Sequence, residues 1–321
     1  MPGIRGADMG WLLAQERLGL VFCDFDGKPV EMFSFLKTLG ITAIRQRVFV
    51  NPSDDPNNGG CDIKACVEMG RRAAGAGMDF MVDFHYSDTW ADPKQQNLPA
   101  AWANDTYDEL CRHVHDHTVR CLTELYNAGI QPKWVQVGNE IDNGLMLPVG
   151  DPKTAPVKLT GLLNTGYDAV HSVFPEGTQV ILHLASGWNL EFSSSYLENI
   201  IDHGGKFDIF GTSYYPYWVT IENPDFTHEK MKESAVKCFA KIRRRYGMDS
   251  MIVEIGAVDV EEERSYQIVR DMVELSDDPA NSCLGVFYWE PQGFRSFSKY
   301  ALSAWKDDGT PSKAMLAFCH K

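Results

Sequence analysis

The feature of this sequence that most restricts its fold is a regular alternation of strand-like and helix-like segments. The strand-like segments are short, apolar and rich in β-branched residues, whereas the helix-like segments carry apolar residues at the spacing of an amphipathic helix. Eight such pairs, with short turns on one side and longer loops on the other, are typical of a closed parallel barrel. The predicted strands lie within residues 4–9, 41–50, 78–85, 133–141, 179–184, 207–214, 251–255 and 284–289.

An open, doubly wound sheet is the alternative fold for such an alternation. It is disfavoured because no glycine-rich phosphate loop follows the first strand. No linker, low-complexity tract or change of composition divides the 321 residues. We therefore predict an α/β protein with one catalytic domain, a (β/α)8 TIM barrel covering residues 1–321.

The charge and the apolar pattern exclude several classes of partner. The formal net charge is -14 and no dense run of Lys and Arg occurs, so neither nucleic acid nor an anionic membrane is expected as a partner. No apolar run is long enough to span a membrane, and no signal segment follows Met1. The eight cysteines lack zinc-site spacing, and Cys121 and Cys238 are predicted to be small core residues.

Polar and aromatic residues follow most of the predicted strands. In a parallel barrel, the carboxyl ends of the strands meet on the face that carries the active site. Each residue taken alone has a structural explanation, such as a satisfied ion pair or simple packing, but the complete set favours a functional site. These residues are Arg45, Arg47, Asp83, His85, Asn139, Glu140, His183, Tyr214, Glu254, Trp289 and Glu290.

Two of these residues, Glu140 and Glu254, are carboxylates that each come at or near the end of an apolar strand. Glycoside hydrolysis requires a protonated carboxylic acid beside the leaving oxygen and an ionised carboxylate facing the anomeric carbon. An arginine near Glu254 would keep its pKa low, and both Arg45 and Arg47 are candidates. Asn139 and Glu140 could instead belong to an ordinary turn after a strand.

Aromatic residues in the predicted loops support a sugar-binding site. Flat rings stack on the apolar face of a pyranose, whereas a solvated loop normally contains smaller polar residues. The alternative is that the loops fold back and bury their own rings. The residues are Trp90, Trp102, Tyr215, Tyr217, Trp218 and Trp289.

Six sequence motifs occur in an order that resembles the family 53 glycoside hydrolases, which are arabinogalactan endo-β-1,4-galactanases. The resemblance covers nearly the whole chain, and the long second motif is highly specific. A strand-tip Asn-Glu pair alone would indicate only the wider clan of retaining barrel glycosidases. The motifs are IRQRVFVNP (44–52), DFHYSDTWADPKQQNLPAAW (83–102), VQVGNEI (135–141), SYYPYW (213–218), VEIG (253–256) and FYWEP (287–291).

The resemblance assigns roles to individual residues. It implies that Glu140 is the acid/base, that Glu254 is the nucleophile, and that Asn139 contacts the 2-hydroxyl of the sugar being cleaved. Arg45 or Arg47 corresponds to the arginine beside the nucleophile. The remaining predicted substrate-binding residues are Asp83, His85, Asp88, Trp90, Trp102, His183, Tyr214 and Trp289.

Two loops depart from the pattern of some family members. Some bacterial members carry a long calcium-binding loop after the seventh strand, whereas residues 256–263 pass almost directly into a helix here. We therefore predict no cofactor and no metal site, with calcium as the group that the family would otherwise suggest. The loop after the eighth strand is expected to be short, with fewer or differently built distant subsites.

The sequence thus predicts a monomeric, retaining, endo-acting hydrolase of β-1,4-galactan in type I arabinogalactan. Alternatives are the same mechanism on another β-1,4-linked polymer such as mannan or xylan, and a sugar-binding barrel without catalysis. A metal-dependent hydrolase using His85, Asp88 and His183 is weaker, because the first strand lacks an HxH pair. Since a polymer cannot enter a cell, we expect a secreted, periplasmic or cell-surface enzyme, although no signal segment is visible.

Overall fold

Eight parallel strands form the closed barrel that the sequence predicts. The structure, a computed structural model, describes residues 2–319. The strands follow one another in chain order around the barrel, and the last pairs with the first. They are β1 (Ile4–Asp8), β2 (Ala43–Val48), β3 (Asp79–Phe84), β4 (Trp134–Val137), β5 (Gln179–Leu184), β6 (Ile209–Tyr214), β7 (Ser250–Ile255) and β8 (Cys283–Tyr288).

Helices cover the outside of the barrel and begin and end at recognisable signals. Thr106 and Glu109 form a capping box before α4 (Tyr107–Asn127), and Gly77 ends α3 (Ile63–Ala76) with a positive φ. Among the described residues, no helix is both long and apolar enough to cross a membrane. The helices are α1 (Leu12–Arg17), α2 (Met32–Thr38), α3 (Ile63–Ala76), α4 (Tyr107–Asn127), α5 (Pro156–Val173), α6 (Leu190–Asp202), α7 (Pro216–Glu222), α8 (His228–Tyr246), α9 (Glu262–Asp277) and α10 (Arg295–Ser298).

The apolar core has two parts. A large layer lies between the strands and the helices, and it contains Cys121 and Cys238 as fully buried small residues, as predicted. A smaller cluster from seven strands fills the amino-terminal part of the barrel interior. Its buried members are Ala43, Met81, Trp134, Ile181, Ile209, Met251, Val253 and Phe287.

The interior positions change from apolar to polar toward the carboxyl ends of the strands. Alternate residues of a strand face the same side, so on β2 the inward position of Ala43 is followed by Arg45. On β3, Met81 is followed by Asp83 and His85 in the same way. The fold therefore places an apolar plug at one end and a charged layer at the other.

Some predicted elements differ from the structure. The sequence predicts a last helix near residues 313–319, and the structure has a 3-10 helix there, Lys313–Phe318. The helices α1, α7 and α10 were not predicted, because they are too short to show a clear apolar period in the sequence. Residues 289–312 separate β8 from the last 3-10 helix and include α10, and the shortness of this loop relative to other family members stays a prediction.

Candidate active site

Arg45 lies fully buried at the centre of the charged layer. Its Nη1 donates to Asp8 Oδ2 at 2.5 Å, and its Nη2 lies 2.9 Å from Asp83 Oδ2. The same Nη2 lies 2.8 Å from Asn139 Oδ1 and 3.0 Å from Glu254 Oε1. One guanidinium therefore joins the ends of β1, β2, β3, β4 and β7. Of the two arginines left open by the sequence, Arg45 is the one in contact with Glu254.

Glu254, near the end of β7, has both carboxylate oxygens engaged. Oε1 contacts the Arg45 guanidinium, and Oε2 accepts a hydrogen bond from the Tyr215 hydroxyl at 3.0 Å. Burial raises the pKa of Glu254 to about 7, while Arg45 and Tyr215 oppose the rise. These two partners favour the ionised form of a carboxyl group that burial alone would keep neutral.

Glu140 follows β4 in a left-handed backbone conformation, with φ of 47° and ψ of 54°. Such a conformation costs a non-glycine residue about 1–3 kcal/mol and is concentrated at functional sites. Burial and the charge of Glu254 raise the pKa of Glu140 well above its ordinary value. No cation among residues 2–319 pairs with Glu140, so the proton favours Glu140 and the negative charge favours Glu254.

A chain of hydrogen bonds leads from the barrel interior to Glu140. The Ser213 hydroxyl donates to Glu140 Oε1, and its oxygen lies 2.9 Å from His183 Nε2. Burial lowers the pKa of His183, so the ring is neutral; Nε2 then carries the hydrogen, and Nδ1 accepts from Gln136 Nε2 at 2.9 Å. Asn139 Oδ1 lies 3.0 Å from the same Nδ1 and takes its hydrogen bond from the arginine instead.

Asn139 is held in place from two directions. Its Oδ1 accepts from Arg45, and its Nδ2 donates to the carbonyl oxygen of Ala91 at 2.8 Å. A primary amide has two N–H donors, so one remains for a ligand in the cavity that Asn139 lines. This arrangement suits a side chain that binds a sugar hydroxyl.

Arg47 supports an aromatic wall. Its guanidinium carbon lies 4.1 Å from the ring centroid of Trp90 and 5.7 Å from that of Trp11. The ring of Trp289 lies 5.1 Å from Trp11 and 5.6 Å from Trp90. Since Arg47 also pairs with Glu290, a fixed cation and three indole rings form one rigid side of the site.

A cavity of about 970 Å³ opens above these residues. Its size lies at the upper end for a small-molecule site. The predicted residues that line it are His85, Trp90, Asn139, Glu140, Tyr215, Trp218, Glu254 and Trp289. The structure therefore brings both candidate catalytic carboxylates to one cavity.

Three predicted substrate-binding residues do not line this cavity. Tyr214 and Ser213 are neighbours on β6, so their side chains point to opposite sides of the strand. The Tyr214 hydroxyl lies 3.0 Å from His228 Nδ1, outside the barrel. The Trp102 ring stacks on His113 at 5.0 Å. The carboxylate of Asp88 accepts hydrogen bonds from the backbone N–H groups of residues 51 and 100, and so shapes a loop.

Three further predicted residues lie beneath the cavity and act through their neighbours. Asp83 pairs with Arg45 and with His85 Nε2 at 3.0 Å, while His183 contacts Ser213. Arg47 lies behind Trp90. These side chains hold the ones that line the cavity, and the sequence pattern could not separate the two layers, because both come from the same strand ends.

Sequence reasoning missed several residues that line the cavity. Tyr300 comes from the loop after β8 that was expected to be short, and Trp188 follows β5. Ser213 was quoted in a motif without a role, although its inward position on β6, two residues after Gly211, could have identified it. For Tyr300 the sequence carries no signal beyond its aromatic ring.

The residues of the metal-hydrolase alternative do not converge. Asp88 binds backbone N–H groups of its own loop, and His183 is engaged by Gln136 and Ser213. Within residues 2–319, no group of three or more His, Cys, Asp or Glu side chains is arranged to hold a metal ion.

Comparison with known proteins agrees with the resemblance found in the sequence. The chain is 31% identical over 309 residues to the "Probable arabinogalactan endo-beta-1,4-galactanase A" of Aspergillus terreus, covering 89% of this chain and 85% of that protein. It is 30% identical to the "Endo-beta-1,4-galactanase" of Bacillus subtilis, covering 90% of this chain and 70% of the relative.

A solved structure shares the fold over almost its full length. The Ignisphaera aggregans GH53 catalytic domain superposes with a TM-score of 0.86 and 26% identity, covering 99% of this chain and 95% of that one. The sequence model of Glycosyl hydrolase family 53 matches residues 4–317. The chain therefore belongs to glycosyl hydrolase family 53.

Proposed function

We propose that this protein is a retaining endo-β-1,4-galactanase in which Glu254 is the nucleophile and Glu140 the acid/base. The observation that carries the proposal is the contrast between two carboxyl groups in one cavity. Glu254 contacts a buried cation, whereas Glu140 has none and a strongly raised pKa. One site therefore offers a charged carboxylate and a protonated acid, as the double-displacement reaction requires.

In the first step, an ionised oxygen of Glu254 attacks the anomeric carbon and forms a new C–O bond. The glycosidic C–O bond breaks, and the leaving oxygen keeps its electron pair and takes the proton of Glu140. Arg45 and Tyr215 hold the attacking carboxylate in orientation. The result is a covalent glycosyl ester on Glu254 and a shortened chain that leaves.

In the second step, Glu140 is the base. Its carboxylate takes a proton from water, the water oxygen attacks the anomeric carbon, and the bond to Glu254 breaks. The Ser213 hydroxyl, which donates to Glu140, stabilises the carboxylate during this step. Both residues return to their starting protonation, and the sugar keeps its β configuration.

The substrate class is supported by the relatives and by the aromatic lining. Two relatives that the chain matches over most of their length are named as β-1,4-galactanases. Trp90 and Trp289 line the cavity and offer ring faces to a pyranose. Another β-1,4-linked polymer, such as mannan or xylan, is the alternative substrate.

The test is incubation with linear β-1,4-galactan, with mannan and xylan in parallel, and sizing of the products over time. We expect galactan chains to shorten quickly into oligosaccharides of several lengths, with little release from the other polymers. Release from mannan or xylan alone would overturn the substrate assignment. Release of monosaccharide alone, from chains that stay long, would overturn endo action.

We also propose that the acting unit is one chain that works outside the cytoplasm. Both proposed catalytic carboxylates and the aromatic lining come from a single chain. A polysaccharide cannot cross a membrane to reach an internal enzyme. If one chain is the acting unit, sedimentation at micromolar concentration should give a particle close to 36.1 kDa.

A further inference from the structure

A second aromatic platform lies across the cavity from the Trp11, Trp90 and Trp289 wall. Trp188, in the loop after β5, and Phe226, between α7 and α8, have ring centroids 5.2 Å apart at an angle of 41°. Both rings line the main cavity and a neighbouring cavity of about 480 Å³. The platform therefore extends the cavity toward α6 and α8.

The loop that carries Trp188 is firmly held. Asp142 accepts hydrogen bonds from the backbone N–H groups of Ala185 at 2.6 Å and Ser186 at 2.9 Å. The Ser234 hydroxyl donates to the Trp188 carbonyl at 3.0 Å. A Cβ atom at Gly187 would lie 2.6 Å from the Thr212 side chain, so this residue packs directly on β6. The backbone that carries the ring is thus held in place by contacts within the protein.

Polar groups and exposed apolar side chains surround the platform. Asn189 lines both cavities and uses its Oδ1 to cap α6, and within the described residues its Nδ2 donates no hydrogen bond. On the facing helix α7, Trp218 is 47% exposed and Ile221 is 59% exposed, and both line the main cavity. Neighbouring exposed apolar groups with polar groups beside them mark a binding surface.

The two catalytic strands fix which end of a bound polymer this platform contacts. β4 and β7 carry the carboxylates, and they divide the ring into a short arc, β5 and β6, and a long arc from β8 to β3. Asn139 and Glu254 both contact Arg45 of the long arc, and Glu254 is also bonded to Tyr215, which follows β6 of the short arc. The Glu140 carboxyl is hydrogen-bonded to Ser213 of the short arc. The proton donor therefore faces the side on which Trp188 lies.

From this arrangement we propose that Trp188 and Phe226 bind the sugar units on the leaving-group side of the cleaved bond. The proposal rests on the proposed function and adds a site to it. The long-arc tryptophans then hold the units on the side of the attacked sugar. A polymer bound across both platforms is cut within the chain.

The first test measures kcat/KM of Trp188→Ala with two substrates. Linear β-1,4-galactan places sugars on both sides of the cleaved bond, whereas 4-nitrophenyl β-1,4-galactobioside has only nitrophenol on the leaving side. We expect kcat/KM on galactan to fall about tenfold, a typical effect of losing one stacked ring. The factor by which kcat/KM falls on the nitrophenyl substrate should be at least about fivefold smaller than the factor on galactan.

Matched variants control this comparison. Tyr126→Ala removes another exposed ring, which lies on α4 away from the cavity and has its centroid 6.1 Å from that of Phe174. This variant should change neither rate. If Trp188→Ala unfolds, Phe226→Ala is measured in the same way. An equal fall on both substrates, or no fall on either, would overturn the proposal.

The second test asks on which side the platform lies. β-1,4-Galactopentaose labelled with ¹⁸O at its reducing end is digested by the wild type and by Trp188→Ala. Loss of binding on the leaving side moves cleavage toward the reducing end, so the labelled products should become shorter. Longer labelled products would show that the side was assigned wrongly.

The outcomes for the two proposals stay distinct. A wild-type enzyme that does not cleave galactan contradicts the proposed substrate, whatever Trp188→Ala does. If mannan or xylan is cleaved instead, the same ratio is measured on that polymer and its aryl glycoside. A wild type that cleaves galactan, with an unchanged ratio in the variant, contradicts the platform alone.

Discussion

Two glutamates with the same side chain acquire different chemistry here through the partners that surround them. Burial raises the pKa of both. Glu254 has the Arg45 cation and the Tyr215 hydroxyl as partners, whereas Glu140 has one neutral donor, Ser213. The separation of the proposed acid from the proposed nucleophile would therefore depend on residues of β2 and β6, which come from distant parts of the chain.

Replacement of Glu254 by alanine should abolish turnover and leave a space where a small anion can act. Added azide should restore part of the activity on an activated aryl galactobioside and give an α-linked glycosyl azide, because a single displacement inverts the β configuration. NMR of the product identifies the linkage. A β-linked azide from Glu254→Ala would contradict the proposed role of Glu254 as the nucleophile. Azide rescue of Glu140→Ala without rescue of Glu254→Ala would contradict it as well.

Ser213→Ala tests the hydrogen bond to Glu140. The Ser213 hydroxyl lowers the pKa of Glu140 by stabilising its carboxylate. Without it that pKa rises, so Glu140 stays protonated to higher pH and the basic limb of the kcat/KM profile moves upward. We expect a rate loss of about ten- to a hundredfold from weaker positioning.

Ser213→Thr is the matched control for this change, since it keeps the hydroxyl. Its basic limb should coincide with that of the wild type. A basic limb that stays in place in Ser213→Ala, or that moves downward, would contradict the role of the His183–Ser213 pair in supporting Glu140.

At the scale of elements, the strands were predictable and the short helices were not. Predicted and observed strand ends differ by at most two residues except at the end of β4, which lies at Val137 and not at residue 141, and β5 agrees at both ends. By contrast, α7 begins at Pro216 in a motif read as loop, and it has only seven residues. Short helices on top of a barrel are stabilised by tertiary contacts that leave little periodic pattern in the sequence.

Helix α4 carries a buried histidine whose protonation opposes folding. Burial lowers the pKa of His117 to about 4, whereas an unfolded histidine titrates near 6.5. As pH falls from about 6.5 to 4, the unfolded chain takes up a proton that the folded chain excludes. The free energy of unfolding should therefore drop by roughly 3 kcal/mol over this range, with full stability above it.

Urea unfolding at several pH values checks this expectation. His117→Leu should flatten the pH dependence between about 4 and 6.5 relative to the wild type. Val114→Ala, on the same buried face of α4, removes apolar contacts and no titrating group, so its loss should be similar at every pH. Parallel curves for the wild type and His117→Leu would contradict the linkage.

The site depends on how the barrel closes. The strand ends and the loop after β3 predicted Glu140, Glu254, Asn139, Trp90 and Trp289 as site residues, and all five line the cavity. The sequence could not tell which of two inward residues on a strand reaches the cavity and which lies beneath it, as Asp83 does. That distinction depends on strand tilt and register, which no local pattern records.

The buried ion network makes Arg45 a residue for the stability of the whole barrel. Its removal takes the guanidinium away from two fully buried carboxylates: Asp83, and Asp8, which then keeps only the longer 3.4 Å contact to Arg47. Breaking such a network by deleting one partner typically costs 3–5 kcal/mol. We expect Arg45→Leu to lose about that much free energy of unfolding at neutral pH, and to lose activity because Glu254 is no longer oriented.

Arg245→Leu is the matched control, because Arg245 pairs with Glu198 on the surface, where an ion pair contributes about 0–1 kcal/mol. Arg45 also lowers the pKa of Asp83 in the folded protein. The Arg45–Asp83 pair therefore contributes its full stability above the pKa that Asp83 has in the unfolded chain. This stability is lost as pH falls through the lower pKa that Asp83 has in the folded chain. The difference between Arg45→Leu and the wild type should therefore shrink in acid. Equal losses in the two variants at neutral pH would mean that the barrel is held by its apolar layers alone, with the charged layer serving only the chemistry.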